Sequence, residues 1–127
     1  MTVTGFEFVE KVSTQARDGE MVVCVPRGVG RKDQLFAVYV NELRFPDYFG
    51  GNWDAFEECL RDLSWLPKGS VVRIVHEGHP FRIDSGELRT YLEILQGVAS
   101  GAGENTIKVR VQFSRRHQRA LERVLSG

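Results

Sequence analysis

Asp54, Glu58 and Asp62 stand at i, i+4 and i+8 in the stretch FPDYFGGNWDAFEECLRDLSWLP, residues 45–67. On a helix that spacing stacks three carboxylates in one row, where like charges repel by a few tenths of a kcal/mol per pair. Asp47 and Glu57 add two more acids and only Arg61 opposes them, so the stretch carries a net charge of −4. Four uses of such a row compete. It serves as a solvated helix face, as most charged helix faces do. It holds a divalent cation, although hard ions want more converging oxygens than one helix offers. It supplies an acid–base pair, although an open row gives no asymmetry to drive two pKa values apart. Or it offers carboxylates in place of phosphates to the arginines and lysines of a protein that binds nucleic acid.

The elements that must position these acids are legible around them. Asn52 is placed to cap a helix by accepting a backbone N–H two or three residues on. Asp54 falls in the first turn, where the helix dipole favours negative charge. At about 100° per residue, Phe56, Cys59, Leu60 and Leu63 share one face with Trp53 at its edge, and the acids lie away from it. Pro46 restricts the entry to this helix, and the glycine pair Gly50 and Gly51 permits a close-fitting turn.

The rest of the chain bounds the possibilities. Its 127 residues are 42% hydrophobic and 27% charged, enough for one core, and residues 1–127 are expected to form one domain. Seventeen basic residues balance seventeen acidic ones, which argues against a general binder of nucleic acid or anionic membranes. The balance hides a sorting: from residue 114 onward Arg115, Arg116, Arg119 and Arg123 face Glu122 alone, a local +3. Residues 4–20 place Phe6, Val9 and Val12 at helical spacing and predict a short amphipathic helix. MVVCV reads as a buried strand, RKDQLFAVYVNELRF as a helix, SVVRIVHEG as a strand and DSGELRTYLEILQGVAS as a core-facing helix capped by Asp84 or Ser85. NTIKVRVQF alternates as the last strand, and residues 114–127 predict a terminal helix with Ala120, Leu121, Val124 and Leu125 inward. Packing of that helix as structural cover is favoured over presentation of a basic surface to a second partner. Strands separated by helices imply crossovers, hence a small parallel sheet.

The run FPDYFGGNWDAFEECL closely resembles the barstar family, the intracellular protein inhibitors of barnase-type ribonucleases. The match rests on Pro46, Asp47, Tyr48, Phe49 and Gly50, then Asn52, Asp54, Ala55, Cys59 and Leu60 in register. The order of elements extends the likeness over residues 21–113. The resemblance implies an α/β fold with a three-stranded parallel sheet flanked by helices, here with extra N- and C-terminal helical segments. It implies an inhibitor, not an enzyme, that plugs a ribonuclease active site with this loop and helix. Tyr48, Phe49 and Gly50 would be loop contacts, Asn52 and Trp53 contacts at the helix start, Asp54 the acid in the basic cleft and Glu58 the central anion. The chain departs from the family pattern: Phe49 lacks a tyrosine hydroxyl, Gly51 is uncharged, Trp53 replaces a leucine and Glu58 replaces an aspartate. The family's third-helix acidic contact has Glu87 and Glu93 as candidates. The implied partner is an extracellular-type ribonuclease or another basic nuclease or toxin. An immunity module for a different toxin, or a binding domain with a non-nuclease partner, is the alternative. No cofactor, metal, membrane or direct nucleic-acid contact is expected.

Other motifs carry weaker signals. RGVGRK, residues 27–32, lacks phosphate-loop spacing and reads as a strand-to-helix turn. HEGHP is not H-E-x-x-H and reads as a loop with exposed His76 and His79, and His117 stands alone in the basic tail. Cys24 and Cys59 are too few for a disulfide framework and read as buried reduced thiols. Phe36, Tyr39 and Tyr91 read as core. The opening MTVTGFEFVEKV puts charges where a secretion signal would have its apolar centre, so the cytoplasm is the expected location.

Overall fold

The computed structural model describes residues 5–46, 49–100 and 107–126. Nine elements follow in order: β1 (Phe6–Val9), β2 (Glu20–Val25), α1 (Lys32–Leu43), α2 (Trp53–Asp62), β3 (Val71–His76), α3 (Ser85–Ser100), β4 (Lys108–Ser114), a 3-10 turn (Arg115–His117) and α4 (Gln118–Ser126). The sheet is α/β and parallel throughout, with strand order β1-β4-β3-β2. It has four strands, not the three expected.

The extra strand is the N-terminal segment, expected as a helix. Phe6, Val9 and Val12 fit a period near three, but Phe6 and Phe8 also alternate with Glu7 and Val9, and the strand period wins. The reason lies in β4, whose edge would otherwise present unpaired backbone groups. Phe6 pairs with Val111 and Phe8 with Phe113 in register. The Phe6 and Phe113 rings meet at 5.3 Å, and Glu7 takes Arg110 through two hydrogen bonds of 2.8 and 2.9 Å. Such cross-strand pairs are the unit of sheet stabilisation.

The helices and the inward side chains of the sheet share one continuous core. Leu35, Phe36, Tyr39, Phe56, Leu60, Tyr91, Leu92 and Leu95 from the helices close on Val23, Val25, Val72, Ile74, Val111 and Phe113. Phe36, Tyr39 and Tyr91 are core, as read from the sequence. Cys59 is buried, whereas Cys24, on the opposite face of the sheet, is only half-buried; both are free thiols. The C-terminal helix is structural cover: Leu121 is fully buried, Val124 and Leu125 pack on the core, and Arg89 of α3 donates to the Val124 carbonyl.

The other face carries a polar cluster beside Val75. Residues 10–19 link β1 at one edge to β2 at the other and end in a turn closed by the Glu20 N–H on the Arg17 carbonyl. They pass beneath β3, where Arg73 donates to the carbonyls of Ser13 and Gln15, both at 2.6 Å. Arg73 also pairs with Glu20 at 3.2 Å, each side chain less than a tenth exposed, and donates to Gln112 at 3.1 Å.

His76, expected in an exposed loop, is instead the last residue of β3 and fully buried. Its ring stacks on Phe113 at 3.9 Å. Nδ1 lies 2.9 Å from the Gln112 carbonyl, which only accepts, so Nδ1 carries the proton. Nε2 therefore accepts from the Tyr91 hydroxyl at 2.7 Å, and Tyr39 donates in turn to Tyr91 at 2.7 Å. Burial drives the His76 pKa down to about 4, against the raising effect of the Gln112 carbonyl. The unfolded ring gains a proton near pH 6.5 while the folded ring stays neutral, so the unfolded state binds more protons across this window. Stability is expected to hold above that range and to fall as the pH drops from about 6.5 toward 4. Urea denaturation at stepped pH measures it, and His76→Gln should flatten the upper part of the decline.

Among the described residues no helix is long and apolar enough to cross a membrane.

Candidate functional site

The helix α2 begins where the sequence places it. Asn52 is extended (φ −130°), and its Oδ1 accepts from the Ala55 N–H at 2.8 Å. Before it, Gly51 has φ +72°, a conformation that disfavours any side chain, whereas Gly50 has no such requirement and is exposed. The turn is set further back by Phe49, whose N–H bonds the Pro46 carbonyl at 3.0 Å.

One side of α2 is fixed. Phe56, Cys59 and Leu60 are fully buried, with Leu63 just past the helix end. Trp53 is half-buried in an aromatic cluster, 5.1 Å from Phe36, 5.7 Å from Phe56 and 6.1 Å from Phe81 by ring centres. Phe49 is seated in the same way, 5.3 Å from both Phe36 and Phe45. Both aromatics therefore hold the loop and the helix start in place with part of each ring covered. Tyr48, like Asp47, lies outside the described residues.

The opposite side faces outward. Asp54, Glu58 and Asp62 are exposed. Arg61 is engaged by Glu57, four residues earlier, through contacts of 3.0 and 3.1 Å. Among the described residues Asp54 and Glu58 have no ion-pair partner. Beneath the helix, burial first, then the carboxylates of Glu58 and Asp62, hold the Cys59 thiol above its ordinary pKa.

Glu87 joins this surface and Glu93 does not. Trp53 donates its indole N–H to Glu87 at 3.3 Å, which ties the first turn of α3 to the start of α2. Glu93 instead pairs with Arg89 on its own helix at 3.3 Å. The only advance signal for the first contact was the indole N–H, which needs an acceptor when it is half-buried. Among the described residues no three His, Cys, Asp or Glu side chains converge in a way that would hold a metal ion.

The result is an exposed acidic face on a helix anchored in the core, beside a loop turned by Gly51. A protein family described as barstar (barnase inhibitor) matches residues 20–114. The chain belongs to the barstar family. The match covers β2 through β4 and includes the acidic helix, while β1 and α4 lie outside it. No curated protein and no solved structure matches the chain. The matched residues hold the order strand, two helices, strand, helix, strand; the fourth strand, β1, lies outside them and pairs with the other edge of β4.

Proposed function

We propose that this barstar-family protein is a stoichiometric inhibitor of a barnase-type ribonuclease, acting in the cytoplasm as an immunity protein. Asp54 and Glu58 fill the enzyme's basic cleft in place of RNA phosphates. Asn52, Trp53 and the loop residues Tyr48, Phe49 and Gly50 surround them with contact area. The observation that carries this reading is the state of the two carboxylates. They are exposed and lack ion-pair partners among the described residues, on a helix whose far side is immobilised by Phe56, Cys59 and Leu60. A preorganised acid of this kind loses little freedom when a guanidinium or ammonium group meets it. The protein does no chemistry of its own; occupancy keeps substrate out.

Titration of a purified barnase-type ribonuclease with this protein tests the proposal. Activity should fall linearly to a one-to-one endpoint. Full activity in the presence of excess inhibitor, with a non-nuclease recovered by pull-down, would transfer the surface to a different kind of partner.

Electrostatic steering should accompany inhibition. A stretch of net charge −4 approaching a basic cleft speeds encounter, and salt screens that attraction over about 8–10 Å. The association rate in stopped flow is expected to drop roughly tenfold or more between low and high salt, with the dissociation rate changing far less. A flat response would mean that the acidic row does not guide the encounter.

A further inference from the structure

Two motifs that the acidic face does not use, RGVGRK and HEGHP, meet at one place with the start of the basic tail. All four strands are parallel, so their carboxyl ends lie along one edge of the sheet. Residues 10–12 leave β1 there, residues 27–30 leave β2, residues 77–79 leave β3, and Arg116 and His117 follow β4. They line a crevice of about 490 Å³. Open α/β sheets bind their ligands in this position, outside the carboxyl ends of the strands.

The lining is cationic. Lys11, Arg27, Arg82 and Arg116 contribute four positive charges, and His79 and His117 set their rings edge to face at 5.7 Å. Among the described residues none of the four cations has an ion-pair partner. Two acids face them, Glu10 and Glu77, and Glu10 is taken by Arg115 at 2.5 Å. The stem of Arg27 packs on Gly78: a Cβ there would stand 3.1 Å from the Arg27 Cγ, which would have to give by a few tenths of an ångström. Against Glu10 and Glu77 the four cations leave the lining with a net positive charge, a field that favours an anion. Apolar surface adjoins the charge: Val12 and Val29 line the crevice, and Ile83 at its margin is 97% exposed.

The geometry points to a binding site for a small phosphomonoester in this crevice, with Arg27, Arg82 and Arg116 holding the phosphoryl oxygens. Arginine suits this task because its planar fork donates two parallel hydrogen bonds to a phosphate. The apolar margin and the two imidazoles give a wall for the organic part of the ligand. Burial first, then the charges of His79, Arg116, Arg82 and Arg27, hold His117 below its ordinary pKa. A bound dianion reverses that field, so the His117 pKa rises on binding.

Histidine NMR of the full chain, titrated with inorganic phosphate, with AMP and with uncharged adenosine, tests the site. Saturable shifts of His79 and His117 are expected with phosphate and AMP and not with adenosine, together with an upward move of the His117 pKa. A tighter response to AMP than to phosphate identifies a nucleotide as the source; equal responses identify the phosphoryl group alone. Arg27→Ala combined with Arg116→Ala should weaken binding tenfold or more with unchanged thermal melts, since both arginines are exposed. The site is overturned by silent histidines, by shifts that persist in the double variant, by adenosine matching AMP, or by a response to single-stranded RNA alone.

Discussion

Replacing Asp54 or Glu58 by alanine is expected to weaken ribonuclease binding by about 2–5 kcal/mol each, the usual cost of truncating one partner of a buried, hydrogen-bonded charge pair. Much of that loss comes from the enzyme's side, where a desolvated basic group is left without its partner. The fold should hardly register the change. Both side chains are exposed, and neither touches the apolar face formed by Phe56, Cys59 and Leu60. Asp54 differs slightly, because it sits in the first turn of α2 and complements the helix dipole, worth about 0.3–1 kcal/mol of stability. Calorimetry on the complexes and thermal melts on the free variants separate the two quantities. Unchanged affinity with lowered melting temperature would return both residues to a structural role. Glu58→Gln is informative beside these, since it keeps the shape and removes only the charge.

Arg73→Ala is expected to cost about 3–5 kcal/mol of folding stability, the penalty for leaving a buried charge uncompensated. Glu20 would lose its closest cation, and the Ser13 and Gln15 carbonyls would lose their donors. Arg110, 3.8 Å from Glu20, softens the loss and points to the lower end of that range. A domain of this size is stable by only about 5–15 kcal/mol, so the variant would sit close to unfolding. The Arg73 hydrogen bond, with a further one from the Arg17 backbone, holds the Glu20 carboxyl below its ordinary pKa. Its contribution is therefore present above about pH 4.5 and lost as the pH falls further. Urea denaturation measures both effects. Arg73→Met combined with Glu20→Leu should recover most of the stability, because a buried ion pair replaced as a whole by apolar side chains is often neutral. Failure to recover would mean that the bonds from Arg73 to the crossing segment, and not the pairing with Glu20, dominate.

The acidic helix was legible almost residue by residue because everything that fixes it is local. Asn52 caps through an N–H three residues away, the apolar face repeats within the helix, and Arg61 finds Glu57 at i−4. The buried strands were legible for a similar reason, since apolar runs such as MVVCV and SVVRIV bound by glycine or proline have few other uses. The N-terminal segment was not. Phe6, Phe8, Val9 and Val12 satisfy two periods at once, and the decision came from β4, more than a hundred residues away. His76 and Arg73 were misjudged or unread because polarity in a sequence suggests exposure. Here each is buried with partners from distant segments: Tyr91 and Gln112 for one, Glu20 and the crossing chain for the other.

What the sequence determined by itself was the acidic helix, its cap, the likeness to the barstar family and the α/β order of elements, all of which depend on neighbours within a few turns. What only the tertiary structure decided was the fourth strand, the Arg73 cluster under the sheet, the tie between Trp53 and Glu87, and the meeting of four strand ends in one cationic crevice. Those features pair residues far apart along the chain, and such pairs exist only after the loops between them have closed and the entropy of closure has been met by burial.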